Sequence, residues 1–345
     1  MTKMFAFGLG IACLNNKNEY LDTYFPQPLH GLSGELSELL GKEVEEGVCV
    51  LSPARFKKIA TIISEHTGEE SNAQAAFLQE SSGNSKGIQL IAVRLSSDHT
   101  IQSVPEAYLK LHLFSHCLCL PNTLNLEGLF QQLPTVCWTN QGPVDPDEID
   151  NRLLGARLNN EHLELHSVDK FPRMTNYVVP SGVRIADASR VRLGAYLGTG
   201  CTVMHAGFVN FNAGALGPNM IEGRISQGVI MGAHSDLGGS ASTQGTLSGG
   251  GKLINSIGEN CLIGANAGTG IPLGDRCTIE AGLYVTAGTL VEVMDTVNNT
   301  SRVVKARELA GISDLLFIRH SQTGKVICRS NSAAIELNDI LHSNN

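Results

Sequence analysis

The chain has no apolar run approaching the roughly 20 residues that cross a bilayer as a helix, which excludes a helical membrane span. It also lacks a basic excess. Its 25 lysines and arginines stand against 33 aspartates and glutamates, and the formal net charge of -8 argues against a nucleic-acid partner, which would need a basic face. The nine cysteines, at 13, 49, 117, 119, 137, 201, 261, 277 and 328, are odd in number and include no CxxC pair. That excludes a disulfide or zinc framework and fits reduced thiols of a cytoplasmic protein. What is present suffices for a core: 345 residues, 42% hydrophobic and 17% charged, imply about two domains and a folded chain.

The first residues resemble a secretory h-region, because Lys3 precedes the apolar run Met4 to Leu14. A single basic residue, glycines at 8 and 10, and no leucine three places before Cys13 favour a buried first strand over export.

Glycine is unevenly spread. Residues 179–291 hold 23 of the 37 glycines and only 12 of the 58 charged residues, which marks a domain. Within it aliphatic residues recur every six positions at Val179, Ile185, Val191, Leu197, Val203 and Val209, pass a weak Ala215, and reach Ile221. The frame then moves by four to Ile225, Met231 and Leu237, re-enters at Ile257 and Ile263, and resumes at Leu273, Ile279, Val285 and Val291. Four residues after each start stands a second column of mostly small residues, including Ser189, Ala195, Cys201, Gly207, Ala213, Ser235, Ala241, Cys261, Ala267 and Cys277. A period of six fits neither a helix nor a hairpin meander. It fits a coil of short strands in three flat walls, 18 residues per turn, with the aliphatic residue inside and the small one near the bend.

Two breaks in the period stand out, the run Gly245 to Gly251 and the four residues Thr269 to Pro272, both expected as loops leaving one face. The glycine run is not a phosphate-binding loop, since Leu253 follows Lys252 where Ser or Thr is required. Residues 1–104 read as an α/β domain, with strands at Gly47–Leu51 and Ile88–Leu95 and helices at Leu32–Leu40, Ala54–Glu65 and Asn72–Glu80. Residues 105–178 read as a helical link, opened by Pro105 and a helix over Glu106–Leu118, with Trp138 and Phe171-Pro172 as packing anchors. The coil is expected over 179–300. Over 301–345 we expect a small extension, with Leu315–Arg319 and Lys325–Arg329 as a hairpin and Ile335–Leu341 as a short helix.

Charges are rare in the coil, so each invites a reading. Glu222 and Arg224 flank Gly223 where the frame slips, and a carboxylate there can take a proton from an amine nucleophile. The alternative is a solvated edge charge paired with Arg224. Gly238, Gly239, Ser242 and Gly245 offer backbone N–H groups of the kind that hold an oxyanion in acyl transfer, or are simply tight corners. Arg302, Lys305, Arg307, Arg319, Lys325 and Arg329, against Glu308 and Asp314, make a basic segment suited to phosphates or to solvent. His205 and His234 are the coil's only histidines, one short of the three that a zinc site of the β-helical carbonic anhydrase type requires.

At this point the sequence resembles the tetrahydrodipicolinate N-succinyltransferases of the longer form. The matching stretches are Glu106 to Leu113, Val168 to Pro172, Val203-Met204-His205, Gly207 to Gly214, Ile221 to Ser226, Gly245 to Gly251, Glu280 to Gly288 and Val304 to Arg307. The resemblance runs from about residue 104 to the C-terminus. It implies a left-handed parallel β-helix of hexapeptide repeats with an N-terminal α/β domain, assembled as a homotrimer with active sites between neighbouring subunits. The implied reaction moves succinyl from succinyl-CoA to the amino group of ring-opened tetrahydrodipicolinate, an amino-dicarboxylate, in lysine and diaminopimelate biosynthesis.

By the same resemblance the catalytic carboxylate falls on Glu222, as base or as acyl carrier, and the oxyanion donor on the Gly245 N–H. Succinyl-CoA contacts fall on Arg224, Gly239, Ser242, Ala265, Glu280, Ala281, Gly288, Lys305, Ile318, Arg319, His320 and Ser321. Ile318 stands where relatives often carry arginine, which leaves a weaker or backbone contact. Some relatives bind magnesium on the trimer axis through acidic residues; Ser189 and Ala206 stand at the corresponding positions, so no metal is expected there or in the chemistry. Other readings are an acyltransferase using acetyl-CoA or a sugar amine, and a repeat protein serving as scaffold. A nucleotidyltransferase fused to a β-helix is disfavoured, because no glycine-rich nucleotide loop is visible near the N-terminus.

Overall fold

In a computed structural model of the chain, residues 3–68, 87–247, 253–295 and 300–330 are described. The helices expected over Asn72–Glu80 and Ile335–Leu341, and the glycines at 249–251, lie outside the described residues. The chain divides into two compact units. One comprises Met1–Cys119, Thr123–Pro172 and Asn176–Val178; the other comprises Leu120–Asn122, Arg173–Thr175 and Val179–Asn345.

In the first unit the apolar run is a largely buried strand, Met4–Leu14, which pairs antiparallel with Tyr20–Tyr24 and Leu29–Leu32 on one side and Ile88–Leu95 on the other. Gly47–Val50 completes the sheet beside Ile88–Leu95. The glycines in the run have a packing reason: a Cβ at Gly8 or Gly10 would stand 2.6 Å from the Phe25 ring. Helices Glu35–Glu43 and Pro53–Thr67 share a core with Phe7, Leu9, Leu40, Phe56, Ile59 and Ile63. The first of these starts later than the expected Leu32, because Leu32 pairs with Met4 and Gly34, at φ 72°, turns the chain.

Helix Val104–Ser115 is capped by the Ser103 hydroxyl, which accepts from the Glu106 N–H, and carries Pro105 in its first turn. It stops three residues short of the expected Leu118, where Cys117 adopts φ 58°. Every residue from Pro105 to Ser115 is buried, so its polar groups need internal partners. Lys110 donates to the Asp98 carboxylate at 2.6 Å and to the His99 and Asn125 carbonyls at 2.6 and 2.7 Å. Beyond it, Val136–Thr139 lies between Gly142–Val144 and Leu165–Asp169 in a small antiparallel sheet, anchored by the Trp138 indole donating to Asp169 O.

The second unit is the coil. Its strands form three parallel stacks. Wall A holds Ala195–Leu197, Ala213–Ala215, Ile230–Met231 and Ser256–Ile257. Wall B holds Arg184–Ile185, Cys201–Val203, Asn219–Ile221, Asp236–Leu237, Leu262–Ile263 and Thr278–Ile279. Wall C holds Phe208–Val209, Arg224–Ile225, Ser242–Thr243, Gly268–Thr269 and Tyr284–Val285. Inward residues stack on inward residues: Ile185, Val203, Ile221, Leu237, Ile263 and Ile279 form one column.

Two details differ from the sequence reading. Val179 is 82% exposed and precedes the first paired strand, so the coil begins at Arg184–Ile185. Thr269 to Pro272 is not an inserted loop: Thr269 is fully buried in the inward column and Leu273 follows four residues later, the same short step as Ile221 to Ile225. Threonine hides this column because its hydroxyl finds local partners. Thr269 Oγ1 donates to Ile271 O at 2.7 Å, and Thr243 Oγ1, also inward, donates to Arg224 O at 3.1 Å.

The top of wall B continues into Leu315–Arg319, whose Phe317 pairs over Ile279. The expected hairpin is present, with Val326–Ser330 as its second strand. Leu290–Asp295 and Thr300–Lys305 extend the same sheet.

Two stability outcomes follow. Lys110→Met leaves the Asp98 carboxylate and two carbonyls without their buried cation, and unfolding in urea should show a loss of about 3–5 kcal/mol. In the same unit, burial raises the Asp22 carboxyl above its ordinary 3.8, while the Tyr177 hydroxyl donates to it. A raised carboxyl favours folding while neutral, so its contribution is full below pH 3.8 and is lost as pH climbs through the raised value. Asp22→Asn stays neutral; its thermal midpoint should gain on the parent's as pH rises from about 4 towards 7.

Candidate active site

The corner joining wall B to wall C gathers most of the residues singled out in the sequence. In successive turns it consists of Met204–Gly207, Glu222-Gly223, Gly238–Ala241, Gly264–Ala267 and Glu280–Leu283. The Glu222-Gly223 corner is two residues shorter than the others, so it cannot reach as far outward and forms a notch between its neighbours. Gly223 is required there, because a Cβ would meet Ala241 O at 2.4 Å. The Glu222 N–H is held by Leu237 O at 2.8 Å, and its half-buried carboxylate lies 3.4 Å from where a Cβ on Gly239 would stand.

Glu222 makes no ion pair among the described residues. The alternative pairing with Arg224 is not adopted: the exposed Arg224 guanidinium donates across one turn to the Ser242 hydroxyl at 3.1 Å. The notch thus holds a carboxylate that no cation of the described residues engages.

Gly239, Ala265, Glu280 and Ala281 continue the same corner upward, and the end of Leu315–Arg319 continues it again. Glu280 is tied there, since its carboxylate accepts the Arg319 N–H at 2.6 Å. Ile318 is half-buried and pairs with Ile327. His320 and Ser321 lie in the hairpin turn, where His320 Nδ1 accepts from the Thr323 N–H at 3.2 Å. The outer face of wall C carries Phe208, Arg224, Ser242, Gly268 and Tyr284 in one ladder. Tyr284, not singled out in the sequence, is 38% exposed and lies with its ring against Gly268, where a Cβ would meet it at 2.3 Å.

Gly245 and Gly288 lie on the other edge of wall C, at the corner leading to wall A, and Lys305 pairs with Leu290 just beyond Gly288. Gly245 opens the insertion that separates Ser242–Thr243 from Ser256–Ile257. A Cβ at Gly245 would meet Gln227 O of the preceding turn at 2.6 Å, and its N–H donates to no group among the described residues. The base of the insertion is fastened by Asn255, another residue the sequence pattern did not mark, because a single asparagine outside both columns carries no periodic signal.

In the basic segment Lys325 is committed to Glu292 at 3.1 Å, which holds that carboxyl below its ordinary value, and Arg276 does the same to Asp314. Arg302, Lys305, Arg307 and Arg319 remain exposed. His205 and His234 sit on different corners, and no group of three metal-binding side chains occurs among the described residues. Ser189 and Ala206 lie in adjacent turns of the wall B to wall C corner, where the Ser189 hydroxyl donates to Asp187 at 2.6 Å. All nine cysteines are free.

Two family profiles match: "Hexapeptide repeat of succinyl-transferase" over residues 254–287, and "Tetrahydrodipicolinate N-succinyltransferase middle" over residues 133–173. The chain is 52% identical over 346 residues to the 2,3,4,5-tetrahydropyridine-2,6-dicarboxylate N-succinyltransferase of Pseudomonas putida, covering 99% of both chains. It is 50% identical, with the same coverage, to the enzyme of that name from Vibrio cholerae. A crystal structure from Campylobacter jejuni, of a protein assigned as a 2,3,4,5-tetrahydropyridine-2-carboxylate N-succinyltransferase, superposes with a TM-score of 0.85 at 31% identity. The match covers 97% of this chain and 94% of that one.

Proposed function

Because the chain belongs to the 2,3,4,5-tetrahydropyridine-2,6-dicarboxylate N-succinyltransferase family, we propose that the notch at Glu222 is where an amine attacks a thioester. The protein is an acyltransferase. It transfers the succinyl group of succinyl-CoA to the amino group of ring-opened tetrahydrodipicolinate (L-2-amino-6-oxopimelate), giving N-succinyl-2-amino-6-oxopimelate and CoA in lysine and diaminopimelate biosynthesis.

Glu222 acts as the base. The observation that carries this reading is a half-buried carboxylate, without an ion-pair partner among the described residues, in the one shortened corner between wall B and wall C. Proton removal from the ammonium frees the nitrogen to attack the thioester carbonyl. The carbonyl oxygen gains negative charge, which the Gly245 N–H stabilises; as the tetrahedral intermediate collapses, the C–S bond breaks and the excess proton on the nitrogen passes to the departing sulfur, leaving the amide and the CoA thiol. Succinyl-CoA runs along wall C and its flanking corners, in contact with Arg224, Gly239, Ser242, Ala265, Glu280, Ala281 and Gly288. Lys305, Arg319, His320 and Ser321 meet its phosphates, and Ile318 contributes backbone only.

The coil is a left-handed β-helix. Three copies assemble into a trimer whose active sites lie between subunits, in the cytoplasm, with no metal taking part in the chemistry. The small-molecule acceptor is the only partner besides the protein itself.

Glu222→Gln should lower kcat for CoA release by about 100-fold or more, with the assembly intact and the parent undiminished by a chelator. Unchanged turnover in that variant removes Glu222 from the mechanism. Light scattering should give about 110 kDa for three chains of 36.8 kDa.

A further inference from the structure

We propose that Asn255 is the positioning residue that aims the Gly245 N–H at the developing oxyanion; the proposal rests on the reading of Gly245 as the oxyanion donor. Asn255 is 1% exposed and engages three consecutive carbonyls at the start of the insertion. Its side-chain Nδ2 donates to Gln244 O at 2.7 Å and to Thr246 O at 3.0 Å, and its backbone N–H donates to Gly245 O at 3.1 Å.

The consequence follows from peptide geometry. No peptide bond among the described residues is cis, and in a trans peptide the C=O of one residue and the N–H of the next point in opposite directions. Gln244 O is drawn towards the buried amide of Asn255. The Gly245 N–H, in the same rigid plane, is therefore directed away from Asn255. The asparagine fixes the donor without touching it.

The amide's own orientation is determined. Turned over, its oxygen would face two carbonyl oxygens. As it stands, Oδ1 is buried without a partner among the described residues, so the two Nδ2 bonds hold the side chain at the expense of its acceptor. Packing against Gln227 O of the preceding turn limits the glycine from the other side. Its nearest substitutes do not do the same: aspartate offers no donor, leucine no bond, and glutamine is a methylene too long for the same reach.

The test uses the full-length enzyme and two perturbations. Replacing Gly245 by glycolic acid turns its peptide into an ester and removes the N–H alone; kcat should fall by about 100-fold. Asn255→Ala, and the near-isosteric Asn255→Asp, should each lower kcat by about 10- to 100-fold, with KM for succinyl-CoA and for the acceptor within about two-fold of the parent's. Added to the ester, either Asn255 substitution should cost less than about three-fold more, since both act through one donor. An ester variant with parental kcat overturns the reading of Gly245, and the positioning role with it. An impaired ester beside Asn255 variants of parental kcat, or variants whose loss lies wholly in KM or multiplies fully with the ester, overturns the positioning role alone.

Discussion

Everything in the coil depends on one constraint: each turn must lay its strands in register on the turn before, because the neighbouring turns are the partners of its backbone N–H and C=O groups. The inward column from Ile185 to Ile279 records that constraint in side chains. Changes of length are confined by it to the corners, where a few residues can be lost or gained without disturbing the ladder. The chain uses this freedom three times. It shortens the corner at Glu222-Gly223, shortens another after Thr269, and extends a third after Thr243. The first and third carry the carboxylate and the N–H assigned to the reaction. The proposed chemistry thus falls where stacking is least demanding, on supports that stacking keeps rigid.

The two units solve the problem of buried polar groups differently. In the coil, polar side chains close short circuits with nearby backbone, as Thr243, Thr269 and Asn255 do. In the first unit, a helix buried on every side brings Lys110 and His112 inside. Lys110 meets its acceptors on separate segments, and His112 Nε2 accepts the Phe25 N–H. Burial holds the His112 imidazole down at about 3, so it stays neutral through the physiological range.

Much of the coil was legible because one aliphatic residue in six must point inward, and that periodicity needs no knowledge of contacts. Where a threonine took the inward place the signal vanished, and the step after Thr269 read as an insertion. Val179 had the right chemistry and spacing but no strand beneath it to pack on. Helix starts with a cap and a proline, as at Ser103-Val104-Pro105, were readable locally; helix ends set by a single residue at positive φ, as at Cys117, were not. At the site, Glu222 stood out because charge is rare in the coil, and the frame slip that isolates it is itself a sequence feature. That Arg224 would turn to Ser242, and that Asn255 would grip three carbonyls, depends on atoms brought together only by folding.

A stack of open turns ends in a row of unpaired backbone groups, an invitation for a second stack to add on. Here the last turn of wall B is overlaid by Leu315–Arg319, and the sheet then reverses direction through its hairpin partner Val326–Ser330. Antiparallel strands placed on a parallel ladder break the repeat that an incoming copy would have to match. The extension thus occupies the edge at which another parallel turn would have to add to wall B, and presents a reversed strand in its place.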